Sequence, residues 1–285
     1  MDPLSYFQAI VLGVLQGVTE LFPISSLGHT VLFPTLFGWD SLVKAQSQDE
    51  SFWLAFVVML HVGSALGLLA FYWRDWLAIV KAFFATLGKR RADTPTERLA
   101  WLIICASIPT GLIGLAFEHQ IRTFTAKPLL ASIFLVVNGF ILLGAEAARR
   151  RMVGRHAEKS LETLQYREAG LVGVAQSTAL FAGISRDGVC MGTGLARGLD
   201  HSDAARFAFL LATPIILAAG LFKLPDLIGP LGNGVRGQSV VACLSAAVAA
   251  YFTVKFLVGY FKTRTLTPFA VYCLIFGSAM VIYNG

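Results

Sequence analysis

Charge is scarce in this chain. Asp, Glu, Lys and Arg together make up 14 % of its 285 residues, against 56 % hydrophobic ones, where an average soluble domain carries about 25 % charged residues. With a mean hydropathy of +0.68, that shortage excludes a solvated or disordered chain and points to an integral membrane protein. Cysteine is nearly absent as well. Cys105, Cys190, Cys243 and Cys273 stand singly in apolar sequence, with no zinc or disulfide spacing, and read as small hydrophobes. Only Asp2 and Pro3 precede the first apolar run, with no basic residue, so a cleaved signal peptide is not expected. The net charge of +6 raises nucleic acid as a partner. The basic residues lie between apolar runs, however, which reads as topology-setting charge beside anionic membrane lipids; no nucleic-acid partner is expected.

What is present is apolar sequence in long runs. Six are long enough to span a bilayer, at about 52–73, 99–117, 128–145, 204–222, 238–254 and 266–283. Trp53, Trp73, Trp76, Trp101 and Tyr283 lie near their ends, as interface anchors should. Two further stretches, 4–38 and 169–200, are apolar but interrupted at mid-length by Gly, Pro and Ser. Such interruptions predict two half-helices meeting at a tip, a re-entrant hairpin buried against protein.

The loops divide by charge. Lys and Arg number six in 74–98, six in 146–168 and three in 255–265, whereas the opposite set of loops holds only Lys44, Arg122, Lys127, Lys223 and Arg236. Placing the basic loops in the cytoplasm is consistent only if both broken segments return to the side they entered from. The expected fold class is therefore an all-α polytopic membrane protein with an inverted-topology repeat. Each half holds one re-entrant hairpin and three transmembrane helices. The expected organisation is a single membrane domain: a first repeat over 1–145 with its hairpin at 4–38, a solvated cytoplasmic connector over 146–168, and a second, inverted repeat over 169–285 with its hairpin at 169–200.

The two hairpins are versions of one another. Aligned without a gap, 13–28 and 173–188 share six identities in sixteen positions: Gly, Val, Gln, Ile, Ser and Gly recur in register. In the first copy Gln16 and Glu20 are four apart and share a helix face. A carboxylate within an apolar span costs several kcal/mol unless paired or wetted, about 2.5–3.5 kcal/mol even on the lenient insertion scale. Pro23 ends the first half-helix, and Ser25 and Ser26 fall where the second begins, a position whose free N–H groups suit an anion. Ser26 and His29 are three apart and can also share a face. A hydroxyl, an imidazole and a carboxylate so close form a candidate nucleophile, base and orienter. In the second copy Ser185, Arg186, Asp187 and Gly188 reach the equivalent tip, with Arg186 aligned on Ser26. Its planar fork is the group that binds phosphate oxygens in pairs. His61 and Asn138, each mid-run in an apolar span, read as structural, and Asp203 and Arg206 as helix-end charges.

These segments resemble one family. Gln16-Gly-Val-Thr-Glu20-Leu-Phe-Pro-Ile-Ser25-Ser26-Leu-Gly-His29 is similar to the first signature of the undecaprenyl-diphosphate phosphatases, also called bacitracin-resistance proteins. Gly183-Ile-Ser185-Arg186-Asp187-Gly188 resembles their second, Pro-Gly-x-Ser-Arg-Ser-Gly-x-Thr, and the segments at 204–214 and 267–272 resemble the family too. The resemblance implies a hydrolase of the bacterial plasma membrane that converts a polyprenyl diphosphate lipid to the monophosphate for cell-wall synthesis, with a site open to the outer face. It also implies a divalent cation (Mg or Ca) and a homodimer. By that resemblance Glu20 matches the essential acid, Ser26 and His29 the nucleophile or proton-transfer residues, and Arg186 the phosphate-binding arginine. Gln16, Ser25, Ser185 and Gly188 are then the expected substrate-binding set, and Glu20 and Asp187 the candidate metal ligands. Ser26, His29 and an activated water all stand as possible nucleophiles. The second signature departs at Ala182, Asp187 and Cys190, where Pro, Ser and Thr are usual. Inverted repeats with broken helices are also transporter architecture, so a polyprenyl-phosphate flippase without hydrolysis is the alternative.

Overall fold

A computed structural model describes residues 4–46, 52–125, 127–153 and 158–285. Its helices follow in the order α1 (Tyr6–Thr19), α2 (Ser26–Leu36), α3 (Asp40–Gln46), α4 (Phe52–Phe71), α5 (Trp73–Lys89), α6 (Pro95–Thr125), α7 (Pro128–Val153), α8 (Tyr166–Gln176), α9 (Arg186–Ala196), α10 (His201–Ile228), α11 (Arg236–Tyr260) and α12 (Thr267–Asn284). Among the described residues no strand forms beyond one isolated bridge, Lys159 with Leu199. Hydrocarbon offers no partner for an open backbone, so an apolar chain closes its N–H and C=O groups within helices. Among the described residues six helices, α4, α6, α7, α10, α11 and α12, are long and apolar enough to cross a membrane. They coincide with the six expected spans.

Small residues decide how closely these helices pack. Gly13 and Gly17 of α1, and Gly63 and Gly67 of α4, have the four-residue spacing that lets two backbones approach. Both pairs lie on α11, whose facing residues include Ala242, Ala246 and Ala250. A Cβ on Gly63 would stand 2.2 Å from the Cys243 carbonyl oxygen, and one on Gly17 2.3 Å from that of Ala246. Backbone cannot step aside as a side chain can. Gly63→Ala is therefore expected to lose about 1–3 kcal/mol through overpacking, read as a lower unfolding midpoint in detergent, whereas Gly114→Ala, in open space, serves as the neutral comparison. At the other end of the chain, α8 packs on α6, where a Gly173 Cβ would meet the Ala106 carbonyl at 2.2 Å.

Three features differ from the expectations. The basic stretch 74–98 is largely a helix, not a loop: α5 exposes Trp73, Leu77, Val80, Phe84 and Leu87 along one face, with Arg74, Lys81 and Lys89 between them. A 3.6-residue period is easily masked when charges alternate with large hydrophobes. Trp53 is buried in a core cluster with Phe56 and Leu60 rather than standing at an interface. The connector is not simply solvated. α7 continues to Val153, Leu161 and Leu164 are buried in the main core, and the Leu161 N–H donates to Asp203 at 2.6 Å. Lys159 lies 2.9 Å from Glu168. Burial raises the pKa of that carboxyl, but the Gln165 N–H and the Lys159 ammonium outweigh it and hold Glu168 below the usual carboxylate range. Arg155 lies outside the described residues. Asp203 and Arg206 are helix-end charges, as expected, with Arg206 2.7 Å from Asp75.

Candidate active site

Both interrupted segments are pairs of short helices joined by irregular turns, α1 with α2 and α8 with α9. Pro23 lacks the N–H that would continue α1. Ser25 then takes a positive φ of 68°, a conformation that a non-glycine residue holds only when its surroundings insist. The insistence comes from hydrogen bonds. The Ser25 hydroxyl accepts from the N–H of Gly28 at 3.2 Å and, across the molecule, from that of Gly183 at 3.1 Å. Gly183 has φ of 108°, and a Cβ there would stand 2.4 Å from the Ala131 carbonyl, so the second turn admits only glycine. Asn138 of α7 ties the two turns together: its Nδ2 donates to Pro23 O and its Oδ1 accepts from Ser185 N, both at 2.9 Å. The Ser185 hydroxyl accepts from Gly188 N at 3.0 Å. Ser25 and Ser185 are thus N-caps of α2 and α9, and Gly188 supplies a capped N–H.

The joined turns bring Glu20 and Arg186 together. Glu20 is buried and its carboxylate is surrounded by donors. Gln16 Nε2 donates to Oε2 at 2.9 Å, the Ser26 hydroxyl donates to the same oxygen, and Arg186 Nη2 donates to Oε1 at 2.9 Å. His61 Nε2 stands 3.4 Å from Oε2. An acid that would be costly in hydrocarbon is therefore compensated on every side. The other arm of the guanidinium, Nη1, lies 2.8 Å from Asp187 Oδ1, and Asp187 is wholly buried with neither carboxylate oxygen hydrogen-bonded. Arg186 is held between two carboxylates.

His29 is placed differently from Ser26. Its Nδ1 is 2.7 Å from Ser25 O and its Nε2 2.8 Å from the Tyr272 hydroxyl, and the ring stacks on Tyr272 and Phe276. A neutral imidazole satisfies both partners, donating from Nδ1 and accepting at Nε2. The structure brings together Gln16, Glu20, Ser26 and Arg186 directly, sets Ser25 and Ser185 in the adjoining turns at the edge of the same cavity with Gly188 behind them, and turns the His29 ring toward α12.

A cavity of about 270 Å³ opens onto this cluster. Glu20, Ser25, Ser26, Ser185, Arg186, His61, Thr110 and Gln176 supply its polar lining, and residues such as Leu27, Leu54, Val57, Val58, Leu180, Ile184, Ile215 and Ile216 its apolar walls. Neither His29 nor Asp187 lines it. Thr110 is not picked out in the sequence, His61 reads there as structural but lines the cavity, and Asn138, also read as structural, joins the two turns. Their signal was a polar group at the middle of an apolar span, which is too common in packed helices to single them out. Gln176, the repeat partner of Gln16, donates to Thr110 Oγ1 at 2.9 Å and accepts from Cys190 Sγ at 3.3 Å.

The chemistry of this arrangement is that of an anion site. Two helix N-termini, α2 at Ser26 and α9 at Arg186, begin beside the cavity. A guanidinium faces a hydroxyl whose proton is directed at a carboxylate. The same donors do not fit a resident metal ion. No cluster of three or more His, Cys, Asp or Glu ligands forms among the described residues. The Glu20 oxygens are already taken by donors, and the guanidinium of Arg186 fills the space between Glu20 and Asp187.

Known proteins match the chain over its whole length. A family model described as Bacitracin resistance protein BacA matches residues 9–279. Undecaprenyl-diphosphatase 2 of Frankia alni is 48 % identical, with 99 % of this chain and 98 % of that protein aligned. The Undecaprenyl-diphosphatase of Mycolicibacterium paratuberculosis is 49 % identical over 98 % and 97 % of the two chains, and that of Acidiphilium cryptum 39 % over 96 % of each.

Proposed function

The chain belongs to the BacA bacitracin-resistance family, and on that footing we propose that it hydrolyses undecaprenyl diphosphate to the monophosphate and inorganic phosphate. One observation carries the reading: Arg186 and the Ser26 hydroxyl share one cavity, polar where they stand and walled elsewhere by Leu, Val and Ile side chains. The diphosphate lies on the guanidinium and the two helix N-termini, and the prenyl tail lies along the Leu, Val and Ile walls. Ser26 Oγ attacks the terminal phosphorus while Glu20 Oε2, which already accepts its hydrogen bond, takes the proton. The P–O bond to the bridging oxygen breaks, and its electron pair leaves with the lipid monophosphate. Water then attacks the phosphoseryl group and Glu20 returns the proton to Ser26. Arg186 offsets the charge that gathers on the phosphoryl oxygens. Ser26 is favoured over His29 as nucleophile because its hydroxyl lines the cavity, whereas both His29 nitrogens are committed elsewhere. A divalent cation, implied by the family resemblance, would enter with the diphosphate and offset part of its charge beside Arg186.

The finer architecture belongs to the same reading. The pairing of α1–α2 with α8–α9, the recurrence of 13–28 in 173–188 and the asymmetry of loop charge support two re-entrant hairpins in an inverted repeat, with the site opening to the outer face of the plasma membrane. A homodimer rests on the resemblance alone. The protein reconstituted in vesicles with C55 diphosphate is expected to release inorganic phosphate. Movement of labelled lipid between leaflets with no phosphate released would overturn this reading and establish the flippase alternative.

A further inference from the structure

We propose that His61 is a catalytic residue of this site, the imidazole that carries a proton first to the departing lipid phosphate and then away from the attacking water. The proposal rests on the diphosphatase reading above. Two histidines lie near the reacting groups, and their surroundings separate them. His29 does not line the cavity, and a single neutral tautomer satisfies its carbonyl and tyrosine partners. His61 lines the cavity with Ser26 and Arg186, and its side chain is 24 % exposed whereas that of Glu20 is 5 % exposed. It is the imidazole that a ligand in the cavity can reach.

Its partners also fix where its protons are. Nδ1 lies 2.8 Å from the Val57 carbonyl oxygen, and a carbonyl only accepts, so Nδ1 keeps its hydrogen throughout. Nε2 lies 3.4 Å from Glu20 Oε2. With Nδ1 occupied, Nε2 is the nitrogen that exchanges a proton, and it stands beside the same oxygen that accepts the Ser26 hydroxyl. Glycine packing sets this position: Gly63, two residues on, rests against the α11 backbone and draws the centre of α4 in toward α1 and Glu20.

The proton traffic balances. As Oγ–P forms and the bridging P–O breaks, Glu20 takes the Ser26 proton and His61 gives its Nε2 proton to an oxygen of the departing phosphate. Nε2 is then free to take a proton from the water whose oxygen bonds to phosphorus. P–Oγ breaks, and Glu20 returns its proton to Ser26. Water supplies the net proton and hydroxyl, and both Glu20 and His61 end as they began.

The test uses the full-length protein in vesicles with C55 diphosphate labelled in its terminal phosphate, comparing wild type with His61→Gln and His61→Asn, and with thermal unfolding as a check on folding. The expected result is a fall in kcat of about 10²-fold or more with KM within about threefold of wild type. Acid quenching is expected to trap labelled protein that vanishes when Ser26→Ala is added, because loss of the second proton transfer strands the phosphoseryl group. A kcat within about threefold of wild type for both variants overturns the proposal. So does a loss of kcat accompanied by a lower unfolding midpoint, or one with no trapped label. Wild-type protein that releases no phosphate at all overturns the diphosphatase reading, and this role with it.

Discussion

Arg186→Ala is expected to lower kcat/KM for C55 diphosphate by about 10³-fold or more, in the range for removal of an arginine that stabilises a phosphoryl-transfer transition state. The size of the effect follows from position. Arg186 is the guanidinium of the cavity lining, and its side chain, 12 % exposed, is held in place by Glu20 on one arm and Asp187 on the other. Removing it leaves the buried Asp187 without a counter-ion and takes one from Glu20, which keeps Gln16, Ser26 and His61; losing one member of a buried pair costs about 3–5 kcal/mol. Activity and stability therefore fall together in this variant. Arg186→Lys separates them, because a lysine keeps the positive charge and loses the fork that grips two oxygens. It is expected to unfold near the wild-type midpoint while activity stays low. Phosphate release and thermal unfolding, measured on both variants, check this. An Arg186→Ala protein with unimpaired turnover sinks the assignment of the phosphate clamp.

Glu20→Gln is expected to have the second largest effect, a loss in kcat of about 10²–10⁴-fold, the usual contribution of a positioned general base. The amide keeps the shape of the carboxylate but cannot take the Ser26 proton. It also presents an N–H₂ where Gln16 Nε2, Ser26 Oγ and Arg186 Nη2 all expect an acceptor, so at least one donor is left facing another. Glu20→Ala goes further, because Arg186 keeps only Asp187 as its counter-ion. Ser26→Ala separates the roles: with the nucleophile gone and the ion pairs intact, substrate is expected to bind with a near wild-type affinity and not turn over. Single-turnover phosphate release on the three variants provides the comparison, and a Glu20→Gln enzyme within about threefold of wild type rules out the carboxylate as the proton acceptor.

Much of this site was legible before any coordinates. Glu20 stood out because an acid inside an apolar run must have a partner, and Gln16 could be paired with it because four residues close one helical turn. Ser25 and Ser185 stood at the expected tips, where the sequence suggested anion binding; that their hydroxyls cap α2 and α9 came from the structure. What was not legible concerned side chains that meet across helices. Ser26 and His29, three residues apart, suggested one shared face, yet His29 turns to Ser25 O and Tyr272, a partner 243 positions away. His61 looked like a buried polar group in an ordinary span, and only the packing of α4 on α1 and α11 carries it to Glu20. The basic stretch of α5 was misread as a loop because its charges hid a period of apolar residues.

Local chemistry therefore specified the membrane spans, their breaks, the polar tips and the Gln16–Glu20 pair, since each depends on groups within one or two turns of helix. The choice of imidazole at the cavity, the two-sided hold on Arg186 and the stapling of both turns by Asn138 depended on the folded chain. Apart from the neighbouring Arg186–Asp187 pair, those contacts join residues far apart in the chain, His61 with Glu20, Asn138 with Pro23 and Ser185, and Arg186 with Glu20 across 166 positions, and their geometry comes from how closely glycine and alanine let helix backbones approach. No local pattern in the chain encodes that distance.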